Sequence, residues 1–281
     1  MTNITPAEGV YHNIPAPVYF SWDAASSSKL KAFARSPLHC KALSYKADEA
    51  TDAQQFGTAV HTAVFEPDRF LKDYVVKPEG LKRNTKAGKL EYDALVAEHG
   101  ENNILSFDDY QHILGMQKAI REDEDTKSLL DKVLSTEVSL LWKQNDIDCK
   151  ARLDAISGNR IIDLKTTQSA SIHSFGTSFF KYGYELQAAH YLSGAKRLRL
   201  GVSEFVFIAI EKKPPYALAL YKLSPASLEV AMGQVQQLTR EYARCKRENV
   251  WPGYPKGIQE LTLPDWKSNF NNLEEQENEQ A

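Results

Sequence analysis

Two carboxylates and a lysine lie close together in the middle of this sequence. Arg152-Leu153-Asp154-Ala155 holds an Asp at the end of an apolar segment. Ile161-Ile162-Asp163-Leu164-Lys165-Thr166-Thr167 follows, with its Asp nine residues after the first. Alternate residues of a strand share a face, so Asp163 and Lys165 point the same way. The apolar β-branched run at Ile161-Ile162 reads as a buried strand. Gly158-Asn159 is a turn that folds it back as a hairpin and brings Asp154 alongside. Paired carboxylates hold hard divalent cations through oxygen. Such a cation activates water and neutralises charge developing on a phosphodiester, and a Lys adds positive charge near the attacking water or the phosphate. Asp-x-Lys alone is a common solvated strand face, so the weight falls on what the neighbouring segments supply.

Glu137 opens the apolar segment Glu137-Val138-Ser139-Leu140. Beside Asp154 it would be a third acidic ligand or hold a metal-bound water; by itself it is as well explained as a surface carboxylate. Gln187 and Tyr191 are spaced i and i+4 in a helical segment and share its face. Gln187 can donate to a phosphate oxygen or position water. Tyr191 can pack on a sugar or donate through its hydroxyl, although in Ala188-Ala189-His190-Tyr191-Leu192 it also fits a core. His61 lies one turn after Gly57 in Gly57-Thr58-Ala59-Val60-His61, and Gly57 would allow another backbone to approach closely. A lone His on a half-apolar helix is usually structural; beside a carboxylate cluster, His61 becomes a metal or phosphate ligand. The other six His residues have no such setting.

These residues need a sheet and helices to position them. Residues 1–20 read as an extended arm with aromatic anchors. Ser26-Ser27-Ser28 caps a helix through Phe33, and Pro37 opens another toward Leu43. Ala53 to Phe65 is a third helix and Tyr74-Val75-Val76 a short strand. Gly80 to Leu90 carries Lys82, Arg83, Lys86 and Lys89 and reads as a mobile basic loop before a helix at Tyr92–Glu98. Helices follow at 108–120 and 125–134. Strands then occupy 136–142, 148–151 and 160–165, a helix 184–198, two strands 204–211 and 217–223, and a long helix 225–248. The order predicts a mixed α/β domain with a central β-sheet flanked by helices. It is one domain over 1–270, with a helical part to about 135, a sheet core from about 136 and an acidic flexible tail at 271–281.

A chain of 281 residues with 42% hydrophobic and 25% charged residues is long enough to bury a core without staples. Its three Cys, at 40, 149 and 245, are scattered. That excludes a disulfide scaffold or CxxC zinc site and fits a reducing compartment. No apolar run reaches the length of a membrane span. The net charge of −3 is unusual for a nucleic-acid binder, but Asn272 to Ala281 contains four Glu and no basic residue, and without that −4 the rest carries +1. Any basic surface must be local.

The segments around His61, Glu137, Asp154, Asp163-Leu164-Lys165 and Gln187-Ala188-Ala189-His190-Tyr191 occur in the order found in PD-(D/E)xK nucleases. More narrowly, with Tyr11-His12, Ser36-Pro37 and Trp251-Pro252-Gly253-Tyr254, the chain resembles the RecE-type exodeoxyribonucleases (exonuclease VIII) of phages and prophages, from about Tyr11 to Trp266. The resemblance implies a PD-(D/E)xK restriction-endonuclease-like core behind an N-terminal helical region. It implies a Mg²⁺-dependent 5′–3′ exonuclease, with Mn²⁺ as a possible substitute. That enzyme degrades one strand of linear double-stranded DNA and leaves a 3′ single strand for a RecT-type annealing protein in recombination. It further implies a ring-shaped homo-oligomer, trimer or tetramer, in the cytoplasm of a bacterial or phage-infected cell. Asp154 and Asp163 would be metal ligands with His61 and the Leu164 carbonyl, and Lys165 the catalytic lysine. Glu137, Gln187 and Tyr191 would support them. Four clustered Cys are absent, so no iron–sulfur cluster is expected. The basic stretch Lys82, Arg83, Lys86 and Lys89 is the candidate DNA contact. Two alternatives stay open: another PD-(D/E)xK nuclease, acting on single strands, on particular structures or as an endonuclease, and a non-catalytic DNA-binding assembly protein.

Overall fold

The hairpin predicted from Gly158-Asn159 is the centre of the molecule. In the computed structural model, which describes residues 5–43 and 51–263, strand β5 (Ile147–Ser157) turns at Gly158, whose φ of 56° suits a glycine, into β6 (Arg160–Thr167). On the other side β5 pairs antiparallel with β4 (Val133–Gln144). β4 in turn pairs with β1 (Gly9–Tyr11), so the N-terminal segment adds an edge to the same sheet. β7 (Glu204–Glu211) runs parallel to β6, and β8 (Leu218–Tyr221) returns antiparallel to β7. The six-stranded order is β1-β4-β5-β6-β7-β8. It is the central mixed sheet expected, with β6–β7 as its parallel pair.

Helices cover both faces because strand residues alternate between two cores. One face buries Leu140, Trp142, Leu153, Ile161, Phe205 and Phe207 beneath helices α2 (Ser27–Arg35), α9 (Ile172–Lys181), α10 (Tyr184–Arg197) and α11 (Pro225–Glu248). The other buries Ala155, Ile162, Leu164, Val206, Ile208 and Ile210 beneath α4 (Asp52–Phe65), α5 (Pro67–Asp73) and α7 (Phe107–Glu122). Ile161 and Ile162, one on each side, are wholly buried, which contributes on the order of 1.5–3 kcal/mol apiece. Local signals agree with these elements. Ser26 caps α2 by accepting from the Lys29 N–H. Thr51 and Gln54 form a capping box at the start of α4. Gly194 of α10 lies where a Cβ would stand 2.7 Å from the Trp142 ring, so a glycine is what lets that helix sit on β4.

Several expectations need correction. Residues 16–21 are not extended: Ala16–Ser21 is helix α1, with Pro15 at its N-cap and Pro17 in its first turn. Helix α6 begins at Lys86 and runs to His99, capped by Thr85, so Lys86 and Lys89 are helical and not part of a loop. Residues 131–134 are not helical, because α8 (Glu124–Leu130) ends before β4 begins. Strands β4 and β5 are longer than predicted, and α5 and α9 were not anticipated. A two-stranded parallel pair, β2 (Val75–Val76) with β3 (Ile104–Leu105), stands apart from the main sheet. The acidic tail lies outside the described residues. No helix among the described residues is long and apolar enough to cross a membrane.

Candidate active site

The site forms where the β5–β6 hairpin comes apart. The two strands are in register at Ala155–Ile162, Ile156–Ile161 and Ser157–Arg160, and pairing stops there. The next residues are Asp154 and Asp163. Instead of continuing the ladder, the Asp154 carboxylate enters the gap, and its Oδ2 accepts the Leu164 N–H at 2.9 Å. A side chain has taken the place of a backbone carbonyl, which satisfies a donor that would otherwise be orphaned. β5 also changes face here: Leu153 belongs to one core and Ala155 to the other. On the far side, the β4 register passes from Thr136–Ala155 to Val138–Leu153, so Glu137 stands opposite Asp154 with a φ of 50°. A non-glycine residue at positive φ is uncommon and concentrates at functional sites.

The gap is approached from both helical layers. From α4, His61 Nδ1 lies 3.0 Å from Asp154 Oδ2. From α10, the Gln187 amide donates to Asp163 Oδ1 at 2.6 Å. Lys165 Nζ is 2.5 Å from Asp163 Oδ2, an oxygen that otherwise accepts no hydrogen bond. Arg152 holds Glu137 at 3.4 Å. Asp154, Asp163, Lys165, His61 and Gln187 therefore converge from five separate positions in the chain, with Glu137 at their margin.

The carboxylates are driven apart in acidity. Burial alone would raise both. For Asp154 the His61 imidazole, Lys165 and the Leu164 N–H overcome it and hold the carboxyl below its ordinary range. For Asp163, burial and the neighbouring Asp154 charge prevail over Lys165, and its carboxyl is raised. Burial would lower the Lys165 ammonium, but Asp163 and Asp154 carry it above its usual value. His61 behaves alike: burial opposes its protonation and Asp154 more than restores it. Burial and the Asp154 charge push the Glu137 carboxyl up to about 6 against Arg152 and His61.

Two residues in this cluster were missed from the sequence, Lys31 and Tyr184. Lys31 of α2 and Lys165 both place their ammonium groups against the Tyr184 ring, at 5.2 and 4.9 Å from its centroid. Burial and the Lys165 charge lower the Lys31 ammonium to about 8. Among the described residues it has no carboxylate within ion-pair distance. Gly183, at a φ of 63°, leaves room for its stem: a Cβ there would stand 3.3 Å from Lys31 Cγ. The helix cap at Ser26 was readable in sequence, but that it aims Lys31 at a strand more than a hundred residues away was not.

Other expectations fare differently. Tyr191 is 9% exposed and packs against Phe205, and it stands close enough to Asp163 and Asp154 for their charges to join burial in raising its hydroxyl pKa. Gly57 serves no close approach, since a Cβ there would meet nothing within 4 Å. The basic cluster is not brought to the carboxylates. Arg83 stacks on Tyr92 at 4.0 Å and faces Glu101, and Lys82, Lys86 and Lys89 stand exposed around α6, which packs on β3 and the turn at 101–103.

Among the described residues no three His, Cys, Asp or Glu side chains form a ready-made cage. The donor set nonetheless fits a hard divalent ion. Asp163 Oδ2 has only the Lys165 ammonium as neighbour, and His61 and Asp154 share one side of the gap, which supplies oxygen and imidazole donors of the right kind.

A family model described as "PDDEXK-like domain of unknown function (DUF3799)" matches residues 26–263. No curated protein matches the chain. Among solved structures, a "Putative exonuclease" from Eubacterium rectale superposes with a TM-score of 0.63 at 16% identity, covering 92% of this chain and 99% of that one. That is a likeness of fold. The structure of SSO0001 aligns with a TM-score of only 0.28 at 17% identity, over 78% of this chain and 83% of that one.

Proposed function

The chain belongs to the PDDEXK-like family DUF3799, and from that premise we propose that it is a divalent-metal-dependent exonuclease that degrades the 5′-ended strand of linear duplex DNA. One observation carries the nuclease reading: the break in β5–β6 pairing that gathers Asp154, Asp163, Lys165 and His61 in one buried gap. A nuclease of this kind needs such a constellation, whereas a DNA-binding scaffold has no use for buried charges that cost folding energy. The Eubacterium rectale neighbour, itself described as a "Putative exonuclease", supports the same reading. The 5′ polarity, the RecT-type annealing partner, the trimeric or tetrameric ring and the cytoplasmic setting rest on the resemblance to RecE-type enzymes.

In this reading Asp154, Asp163, His61 and the Leu164 carbonyl hold Mg²⁺, or Mn²⁺ in its place. The bound ion supplies a Lewis acid for the phosphate and lowers the pKa of water. The protein's own groups do the rest. Gln187 fixes Asp163 through its 2.6 Å hydrogen bond, so one carboxylate oxygen is spoken for and the other is aimed into the gap. Lys165 and Lys31 both lie against the Tyr184 ring and would neutralise the negative charge that builds on the non-bridging phosphate oxygens. The low Asp154 carboxyl stays ionised, and Arg152 fixes the orientation of Glu137.

The test is digestion of linear duplex DNA labelled separately at its 5′ and 3′ ends, with Mg²⁺ or with EDTA, beside a covalently closed circle. Early loss of the 5′ label that requires Mg²⁺, with the circle intact, is expected. Early 3′ loss or a cut circle replaces this reading with another nuclease. An absence of any hydrolysis leaves a binding protein.

A further inference from the structure

A second cleft opens beside the gap, at the carboxyl ends of the parallel strands β6 and β7. Ligands of α/β sheets characteristically bind at such ends. The cleft has a volume of about 330 Å³. It is lined by Thr166 and Thr167 directly after Lys165, by Ser174 and Ser178 of α9, and by Tyr182, Tyr184 and Lys212. The Lys212 N–H donates to the Thr167 carbonyl at 3.1 Å, which ties the two strand ends together. The Lys212 ammonium lies 5.8 Å from the Phe56 ring on α4 and has no carboxylate partner among the described residues. The nearest acid in sequence, Glu211, is occupied by the Ala170 N–H at 2.9 Å. The cleft thus lies between α9 and the start of α10, with Lys212 reaching toward α4. Phe56 precedes His61 on α4, Tyr184 precedes Gln187 on α10, and the Tyr184 ring is common to both sites.

Tyr182 is the other distinctive element. It ends α9, is 54% exposed, and leans on Tyr184 at a centroid distance of 5.9 Å. A solvent-facing aromatic ring, with the Lys181 ammonium 5.8 Å from its centroid, beside a hydroxyl-lined cleft and the Lys212 ammonium suits a base, a sugar and a phosphate in turn. The volume lies at the small end for ligand pockets, which run from roughly 300 to 1,000 Å³, and is too small for a duplex. Stacking on Tyr182 also requires a base whose face is free, which a base inside a duplex does not offer.

We propose that this cleft binds one nucleotide of an unpaired DNA strand, next to the phosphate being cut, with its base on Tyr182 and its phosphate at Lys212. The proposal deepens the nuclease reading and rests on it for the identity of the neighbouring site. It implies that the duplex is already opened where the strand enters the gap.

The test uses binding, so it does not depend on turnover. The full chain is titrated in EDTA with a fluorescein-labelled single-stranded dT12, the same oligomer with abasic sites, and a blunt 12-base-pair duplex. The wild type should prefer dT12 to the abasic strand by about 10-fold, within the range for base–aromatic stacking. Tyr182→Ala should erase that preference and Tyr182→Trp retain it. Lys212→Gln should weaken both strands and flatten the salt dependence by about one counterion. A base preference that survives in Tyr182→Ala, an unchanged salt slope in Lys212→Gln, or a Tyr182→Ala loss of duplex binding as large as that of dT12 overturns the proposal. Hydrolysis of linear DNA, assayed in parallel, separates the two ideas. Hydrolysis without the expected binding changes rejects the cleft alone, and the binding changes without hydrolysis reject the nuclease reading while the cleft stands.

Discussion

Lys150 and Lys165 are two ammonium groups drawn into the same sheet, on neighbouring strands, with opposite surroundings. Lys150 is 5% exposed and donates to the carbonyls of Tyr19, Phe20 and Trp22 at 2.9, 3.2 and 2.8 Å. These are carbonyls at the end of helix α1 and its exit; Tyr19 also accepts the Trp22 N–H and Trp22 the Ala24 N–H, so there the ammonium is a second donor. Among the described residues no carboxylate lies within ion-pair distance; the Asp23 charge acts against burial and the Lys29 charge, which prevail and lower the ammonium to about 8. Lys165 meets two carboxylates instead, and burial fails to lower it. A cation among neutral dipoles is fastened down and finishes a fold. A cation among anions leaves charge that a substrate or metal can rearrange. What separates structural from chemical burial here is the partner's charge, not depth.

Removing each lysine in turn should produce opposite losses. Lys165→Ala is expected to lower hydrolysis of linear duplex DNA by about 10²–10³-fold, the scale of removing one charge-stabilising group from an active site. Its far-UV circular dichroism should be unchanged. Lys150→Met should do the reverse. It removes one charged donor from three carbonyls, two of which keep a backbone partner, and is expected to cost about 2 kcal/mol in urea unfolding, with turnover per folded molecule retained. If the folded Lys150→Met protein loses turnover, or Lys165→Ala keeps it, the division between the two lysines is wrong.

Lys31 is the intermediate case, because it has neither kind of partner. It lacks a carboxylate among the described residues and shares the Tyr184 ring with Lys165. If it belongs to the chemistry, Lys31→Met should lower kcat by about 10-fold, below the full effect of a charge-stabilising group, and leave the urea midpoint almost unmoved. A shifted midpoint with unaltered kcat would assign it to packing.

The parts of this division that could be read from sequence were the local ones. Asp163 and Lys165 share a face because strands alternate, Gly158-Asn159 turns the hairpin, and Ser26 caps α2. The break in pairing at Asp154 was not readable. It depends on a carboxylate replacing a carbonyl as acceptor for the Leu164 N–H, which no propensity encodes. Lys150 and Lys31 look like ordinary surface lysines in one dimension, and only tertiary packing withdraws them. Gly57 failed for the converse reason. Helical spacing says which residues share a face, and packing decides whether that face meets a site, a core or open space.

The smallest expected effect is confined to alkaline pH, where the two buried lysines should diverge in sign. An unfolded lysine titrates near 10.5, and folded Lys150 near 8. Between these values the unfolded chain keeps a proton that the folded chain has released, so this group raises stability as pH rises. Below about 8 both states are protonated and the burial cost is constant; above 10.5 both are neutral and it is gone. Lys165 is raised in the fold, so its contribution is complete below the unfolded value and is lost only as pH climbs beyond it through the folded pKa. Urea unfolding of wild type, Lys150→Met and Lys165→Met at about pH 7, 8, 9 and 10 isolates the two, because titrations common to all three cancel. The stability gap between wild type and Lys150→Met should widen from about pH 8 to 10, while that between wild type and Lys165→Met stays level. A level Lys150 gap would mean that the three carbonyls hold the proton as firmly as a carboxylate does. Charge of the partner would then no longer distinguish the two sites.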